Sequence, residues 1–100
     1  MAKRPRYSAH PDANQAEIIE LVKAAMPCLI DDVSNVASTH DIEVWAYDVH
    51  LDMWRWTHWE IKTSTGKLTK AQRKRMSDWP GSVLLARDAN DILREYGRIQ

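Results

Sequence analysis

The stretch Glu60–Gln72 places the strongest constraint on the fold, because it predicts the end of a strand, a turn and the start of a helix. Glu60 and Lys62 alternate with Ile61, so on a strand the two charged side chains share one face and Ile61 lies on the other. Residues 65–67 predict the turn. A carboxylate and an amine side by side indicate either a surface ion pair, which contributes about 1 kcal/mol at most, or half of a metal site.

A helix and a buried strand follow this turn. Thr69 is a good helix N-cap, and Gln72 stands at the spacing of a capping box, so a helix is predicted from Thr69 to about Asp78. Pro80-Gly81 ends it, and the apolar run Val83–Ala86 is typical of a strand covered on both faces. A helix between two strands permits a right-handed crossover, so these two strands can be parallel.

The N-terminal part predicts an arm and then a helix. Residues 1–10 are polar and basic and predict a flexible arm, whereas residues 11–100 predict one domain. Asp12 is the predicted cap of the first helix, with Gln15 at the capping-box position, and Pro27 ends the helix. The predicted apolar stripe of this helix is Ile18, Leu21, Val22 and Ala25.

Three strands and a last helix complete the predicted order. The strands are Cys28–Val33, Asp41–Tyr47 and Met53–Lys62, and a loop or hairpin tip is predicted at Asp48–Asp52. Asp88 caps the last helix, whose apolar stripe is Ile92, Leu93 and Tyr96. The sequence therefore predicts a single α/β domain of order αβββαβ with a final helix, built on a small mixed central sheet.

The composition of the chain limits the functions and the locations that can be expected for it. The 14 basic and 14 acidic residues cancel, which argues against binding to nucleic acid through bulk charge alone. Charge is nevertheless separated, since the six charged residues within 62–77 are all basic: Lys62, Lys67, Lys70, Arg73, Lys74 and Arg75. No membrane span or signal peptide is predicted. Cys28 is the one cysteine, so a reducing, cytoplasmic location is expected, nucleoid-associated if the protein is cellular.

The motif at 60–72 resembles that of a nuclease superfamily. An acid two residues before a lysine, a Gly-Lys-Leu-Thr turn and Gln72 on the next helix are similar to the PD-(D/E)XK nucleases, and within them to the small VRR-NUC and Holliday-junction-resolvase-like nucleases. The resemblance covers roughly residues 12–96. It implies a restriction-endonuclease-like core and metal-dependent cleavage of DNA.

The resemblance implies a set of catalytic and metal-binding residues. Asp41 matches the family's first acid, with His40 in place of the usual proline, and Glu60 and Lys62 match the second acid and the lysine. Asp41, Glu60 and the carbonyl of Ile61 would hold Mg²⁺ or Mn²⁺, which prefer oxygen ligands. The alternative for Asp41 is a turn acid at the entry to its strand. A surface ion pair is the alternative for Glu60 and Lys62.

Four further assignments stay open at this point. Gln72 resembles the glutamine that holds the site in several of these nucleases, but the capping box with Thr69 explains it equally well. Glu17 resembles the acid of the family's first helix, or is an exposed helix glutamate. Glu43 shares a strand face with Asp41 and is the rival ligand. The predicted DNA-binding residues are Lys67, Lys70, Arg73 and Lys74, and their alternative is a solvated basic helix face.

The function predicted from the resemblance is a Mg²⁺- or Mn²⁺-dependent endodeoxyribonuclease that acts on branched or junction DNA. A non-catalytic nucleic-acid-binding module, or a subunit of a larger complex, is the alternative. Two cuts in a four-way junction need two sites, so a homodimer is expected. Its interface is predicted at Met53 and the strand with Trp54, Trp56 and Trp59, and the alternative places all tryptophans in the core. The histidines show no metal-binding spacing in the sequence.

Overall fold

A computed structural model describes residues 14–34 and 40–100 and has the predicted order of elements. The predicted arm at residues 1–10 and the predicted cap at Asp12 lie outside the described residues. The helices are α1 (Gln15–Ala25), α2 (Lys70–Asp78) and α3 (Ala89–Glu95), and the strands are β1 (Cys28–Asp32), β2 (Ile42–Asp48), β3 (Met53–Ile61) and β4 (Val83–Ala86). The chain is therefore a single α/β domain of order αβββαβα.

One mixed sheet carries the domain, with its strands in the order β1-β2-β3-β4. The first three strands form an antiparallel meander, and β4 pairs parallel to β3, as the predicted crossover through α2 allows. In the β2–β3 hairpin, Ile42 lies opposite Trp59 and Asp48 lies opposite Met53. Within the described residues, no helix has the length and apolar character needed to cross a membrane.

The core lies on the face of the sheet that α1 and α3 cover. Residues of β2 alternate between buried and half-buried, so that Ile42, Val44 and Ala46 point into this core. The remaining core residues come from β3, β4, the helices α1 and α3 and the residue that follows each of these helices: Ile18, Val22, Met26, Trp59, Ile61, Ala86, Ala89, Ile92, Leu93 and Tyr96. The predicted stripe of α3 is therefore confirmed.

The predicted inner face of α1 is partly wrong. Leu21 is 51% exposed and Ala25 is exposed, whereas Gln15 and Met26 are buried. The helix begins at Gln15, which is its first residue and not a capping-box partner. Ile18 and Val22 are the centre of the buried face, and Leu21 lies about 100° from Val22 around the helix, outside the contact with the sheet and α3.

The second face of the sheet is covered only in part. No residue of α2 is buried. The strand β4 lies at the sheet edge, and only its last residue, Ala86, is buried, so the prediction of a strand covered on both faces is wrong. On this second face the side chains of β2 and β3 at one end meet α2, and those at the other end are open to solvent.

Candidate active site

Folding brings the two predicted acids together at one end of the sheet. Asp41 directly precedes β2 and Glu60 lies near the end of β3, and the hairpin register places them opposite each other. The backbone N–H of Asp41 donates to the carbonyl of Trp59 at 2.9 Å. Its carboxylate Oδ2 accepts a hydrogen bond from the backbone N–H of Ile61 at 2.8 Å. The Asp41 carboxyl is therefore fixed on the strand that carries Glu60.

Glu60 is a buried carboxyl next to a second carboxyl. Its side chain is nearly enclosed, with the residue only 5% exposed. Burial, and then the negative charge of Asp41, raise the pKa of Glu60 to about 7, while Lys62 and Arg75 oppose this rise. The two carboxyls also share a hydrogen bond. Because Glu60 is buried, the alternative of an exposed Glu60–Lys62 ion pair is wrong.

Contacts across the domain hold the backbone around Lys62. Its N–H donates to the carbonyl of Ala86 at 3.0 Å, and its carbonyl accepts from the side-chain amide of Asn14 at 3.1 Å. The guanidinium of Arg87 donates to the carbonyls of Thr63 and Gly66 in the following turn. The chain direction after Glu60 is thus set by Asn14 at the start of α1, by β4 and by Arg87 after β4, which fixes where the Lys62 side chain begins.

Gln72 forms the predicted capping box and also contacts Glu60, while its part in a catalytic site stays a prediction. In the capping box its Oε1 accepts from the N–H of Thr69 at 2.9 Å, and its own N–H donates to Thr69 Oγ1 at 3.0 Å. The other half of the same amide, Nε2, donates to Glu60 Oε2 at 2.9 Å. One side chain therefore starts α2 and holds a carboxylate oxygen of Glu60.

For the other predicted site residues, the structure shows a position but no metal-binding or DNA-binding contact within the described residues. The side chain of Ile61 lies in the core and its N–H binds Asp41, while its carbonyl as a metal ligand stays a prediction. Glu17 is exposed on α1, and its part in the site also stays a prediction. The predicted DNA-binding residues Lys67, Lys70, Arg73 and Lys74 are all exposed. Among them, Lys74 forms an exposed ion pair with Asp78 at 2.9 Å.

Arg75 is a site neighbour that the sequence reasoning missed. It is half-buried on α2, and its positive charge acts on Glu60. The signal was present in the spacing, since Arg75 stands three residues after Gln72 and so lies on the same face of the helix. A cation from α2 therefore accompanies Lys62 beside the carboxyl pair.

A second polar cluster lies beside the carboxyl pair on the same sheet face. Glu43, the rival ligand, has its Oε2 3.0 Å from His40 Nε2 and 3.4 Å from His58 Nδ1. Burial lowers the pKa of His40, against the hydrogen bond to Glu43. His40 and Glu43 are close in the sequence, but His58 is distant from both, and only the hairpin register, which pairs Glu43 with His58, could have indicated the cluster.

The tryptophans divide between the two faces of the sheet. Trp59 is 2% exposed in the core, so its predicted place in a dimer interface is wrong, because it shares the inward direction of Ile61. Trp54 and Trp56 are 45% and 42% exposed, so the alternative that all tryptophans are core is wrong too. Both pack on Trp45, with ring centroids 6.1 and 5.5 Å apart.

The arrangement of carboxyls and cations determines which ligands this site can bind. Two adjacent carboxyls with little exposure to solvent repel each other when both are ionised, and a bound divalent cation reduces that repulsion. Their oxygens suit Mg²⁺ or Mn²⁺, and the adjacent amine and guanidinium suit an anionic substrate. Comparisons with models of known protein families, with characterised proteins and with solved structures found no match to this chain.

Proposed function

We propose that the protein is a Mg²⁺- or Mn²⁺-dependent endodeoxyribonuclease of the PD-(D/E)XK type, similar to the VRR-NUC and junction-resolving nucleases. The observation that carries the proposal is the Asp41–Glu60 carboxyl pair with Gln72 bound to Glu60. A buried carboxyl whose pKa is raised to about 7 by burial and then by a second acid is typical of a functional site. The donor set fits the metal, since both acids offer oxygen ligands.

Each residue of the site has a separate role in the proposed phosphodiester hydrolysis. Asp41 and Glu60 would hold the metal, which when bound supplies a water that is nucleophilic near neutral pH and stabilises charge on the phosphate. Lys62 orients the attacking water or neutralises the charge that develops on the phosphate oxygens. Gln72 holds Glu60 Oε2 in place, which keeps the other carboxylate oxygen available.

Cleavage assays on defined DNA test this function. Linear, single-stranded, flap and four-way-junction DNA are incubated with the protein and Mg²⁺, Mn²⁺ or EDTA. We expect metal-dependent cleavage, strongest on branched DNA, and we expect Asp41→Asn and Glu60→Gln each to reduce it by at least about 100-fold, since losses of outer-sphere metal partners already reach that scale.

The matched control is Glu20→Gln, which changes an exposed glutamate of α1. Full activity in the Glu60→Gln protein, or cleavage that persists in EDTA, would overturn the proposal. DNA binding without cleavage in any metal would instead support a non-catalytic nucleic-acid-binding module.

We also propose that the exposed basic face of α2 binds the DNA backbone. Lys70, Arg73 and Lys74 carry it, and their triple change to alanine should weaken binding of all sequences alike and make it less dependent on salt, because fewer counterions are released. Lys23→Ala on α1 is the control, since Lys23 is exposed and lies on another helix. Unchanged affinity of the triple variant would show that this face is only solvated.

A homodimer is proposed for the cleavage of junctions. The support is an open apolar patch on the second sheet face, where Leu29 is 61% exposed next to Trp45, and where Trp54 and Trp56 are also exposed. Light scattering should give twice the 11.6-kDa mass of one chain, and Trp56→Ser should return the mass of a monomer. A monomer mass for the unchanged protein, also with DNA bound, would leave a nuclease that nicks or cuts flaps.

A further inference from the structure

We propose that His40, Glu43 and His58 form a binding site for a divalent transition-metal ion of the zinc class, separate from the Asp41–Glu60 pair. Two imidazole nitrogens and one carboxylate oxygen converge on the second face of the sheet, from the entry to β2 and from β3. This donor set differs from the all-oxygen set of the proposed nuclease site. The site therefore goes beyond the proposed function.

The distances among the three donor atoms fit zinc. His40 Nε2 lies 3.0 Å from Glu43 Oε2 and 3.1 Å from His58 Nδ1, and His58 Nδ1 lies 3.4 Å from Glu43 Oε2. Zinc binds nitrogen and oxygen at about 2.0–2.2 Å, so its tetrahedral ligands stand roughly 3.3–3.4 Å apart. A point about 2.0–2.1 Å from all three atoms lies just outside the plane of this triangle.

In every protonation state of the two histidines, at least one of the three contacts is without a hydrogen bond. If both histidines donate to the Glu43 oxygen, two N–H groups face each other across 3.1 Å without a bond between them. If His58 donates to His40, a nitrogen lone pair faces the Glu43 oxygen at 3.0 Å. A cation bound among the three lone pairs attracts all three donor atoms and so offsets the repulsion between them, because neutral imidazole and carboxylate are both metal ligands.

The exposure and the chemistry of the three side chains allow a metal ion to reach the site and favour zinc over magnesium. The side chains of Glu43 and His58 are 28% and 25% exposed, so an ion can enter, while that of His40 is 1% exposed and held in place. The ring of Trp79, which follows α2, lies 5.0 Å from the His40 ring and 5.7 Å from the His58 ring. Imidazole ligands favour zinc over magnesium, so the two sites would take different metals.

Titration calorimetry with Zn²⁺ tests the site on protein that has been stripped with EDTA and dialysed. We expect one Zn²⁺ per chain that an excess of Mg²⁺ does not displace, and we expect His58→Ala to weaken it by more than about 100-fold, because a ligand is lost and not only an outer partner. His50→Ala is the matched control, since His50 is an exposed histidine outside the cluster. Glu60→Gln should also leave this binding unchanged.

Three outcomes would overturn the site: no saturable Zn²⁺ binding, full affinity in the His58→Ala protein, or loss of binding in the Glu60→Gln protein. The last result would place the zinc at the carboxyl pair instead. Circular dichroism checks that each variant is folded, and Glu43→Gln, which keeps the shape of the side chain, replaces His58→Ala if that variant does not fold. DNA cleavage is not part of this test, so its result is independent of the proposed nuclease activity.

Discussion

Two carboxyl groups are buried at opposite ends of the β2–β3 hairpin. The charged neighbour with the largest effect on the pKa is a cation for Asp48 and a second acid for Glu60. Asp48 is 1% exposed, and its carboxylate accepts from the N–H of Leu51 at 2.9 Å and from Arg55 Nε at 2.7 Å. Arg55 in turn donates to Glu95 Oε2 at 2.8 Å. Burial acts to raise the pKa of Asp48, but the hydrogen bonds from Leu51 and Arg55 outweigh it and lower the pKa.

At the other end, Glu60 is buried to a similar degree but lies beside an acid. Its pKa is raised to about 7, since burial and the charge of Asp41 exceed the effects of Lys62 and Arg75. Asp48 therefore stabilises the fold in its charged form, whereas Glu60 costs stability when it is charged. Burial alone does not indicate function. A buried acid whose pKa is raised by a second acid, against the effect of nearby cations, is more typical of a functional site.

The largest expected effect is on the Asp48 side of this comparison. Asp48→Asn removes the charged partner of Arg55 and should destabilise the protein by about 3 kcal/mol, the lower end for a broken buried pair, because Glu95 still accepts from Arg55. Urea denaturation at pH 7 measures the loss. Asp78→Asn is the control, because its ion pair with Lys74 is exposed, and it should cost less than about 1 kcal/mol. Equal effects of the two changes would contradict the structural role of Asp48.

Glu60→Gln should have the opposite sign and should depend on pH. The folded-state pKa of Glu60 is raised from 4.5 to about 7, so the folded form binds the proton more tightly, and the stability of the unchanged protein falls as the pH rises from about 4.5 to 7. In metal-free buffer the variant should be more stable by about 2–3 kcal/mol at pH 8, and the gain should vanish near pH 4, where the unchanged Glu60 is protonated in both states.

Thermal unfolding in EDTA at pH 8 and pH 4 measures this gain, which corresponds to roughly 10 °C in Tm for a domain of this size. Because glutamine can still accept the hydrogen bond from Gln72, the change removes charge and keeps the contact. A Glu60→Gln protein that is less stable than the unchanged protein at pH 8 would show that Glu60 is a structural acid like Asp48.

The smallest expected effect separates the two roles of Gln72. Thr69→Ala and Gln72→Ala both break the capping box and should each cost about 1 kcal/mol. Only Gln72→Ala also frees the oxygen of Glu60, so only this variant should lose cleavage activity per folded molecule, by about tenfold. Chemical denaturation and cleavage rates are compared on the same preparations. Equal cleavage by both variants would show that Gln72 acts only in the capping box and has no effect on the site.

Local signals in the sequence determined the elements of this protein and two of its caps. The capping box of Thr69 and Gln72, the cap at Asp88 and the order of strands and helices depend on neighbours close in the chain, and each was confirmed. The motif at 60–72 also gave the direction of Glu60 and Lys62, because alternation along a strand is a local property. Predictions that depended on a helix orientation were weaker, since Leu21 and Val22 are equally apolar in the sequence.

Only the tertiary structure decided which side chains meet. The hairpin register brings Asp41 to Glu60, sets Glu43 against His58, and separates buried Trp59 from exposed Trp56. No local preference encodes these contacts, because they depend on how two strands align and on which sheet face α1 and α3 cover. The pKa of Glu60 has the same origin, since burial and the charge of an acid on the neighbouring strand raise it. The sequence by itself therefore determined the elements and which side chains share a strand face, and the packing decided the environment of each side chain.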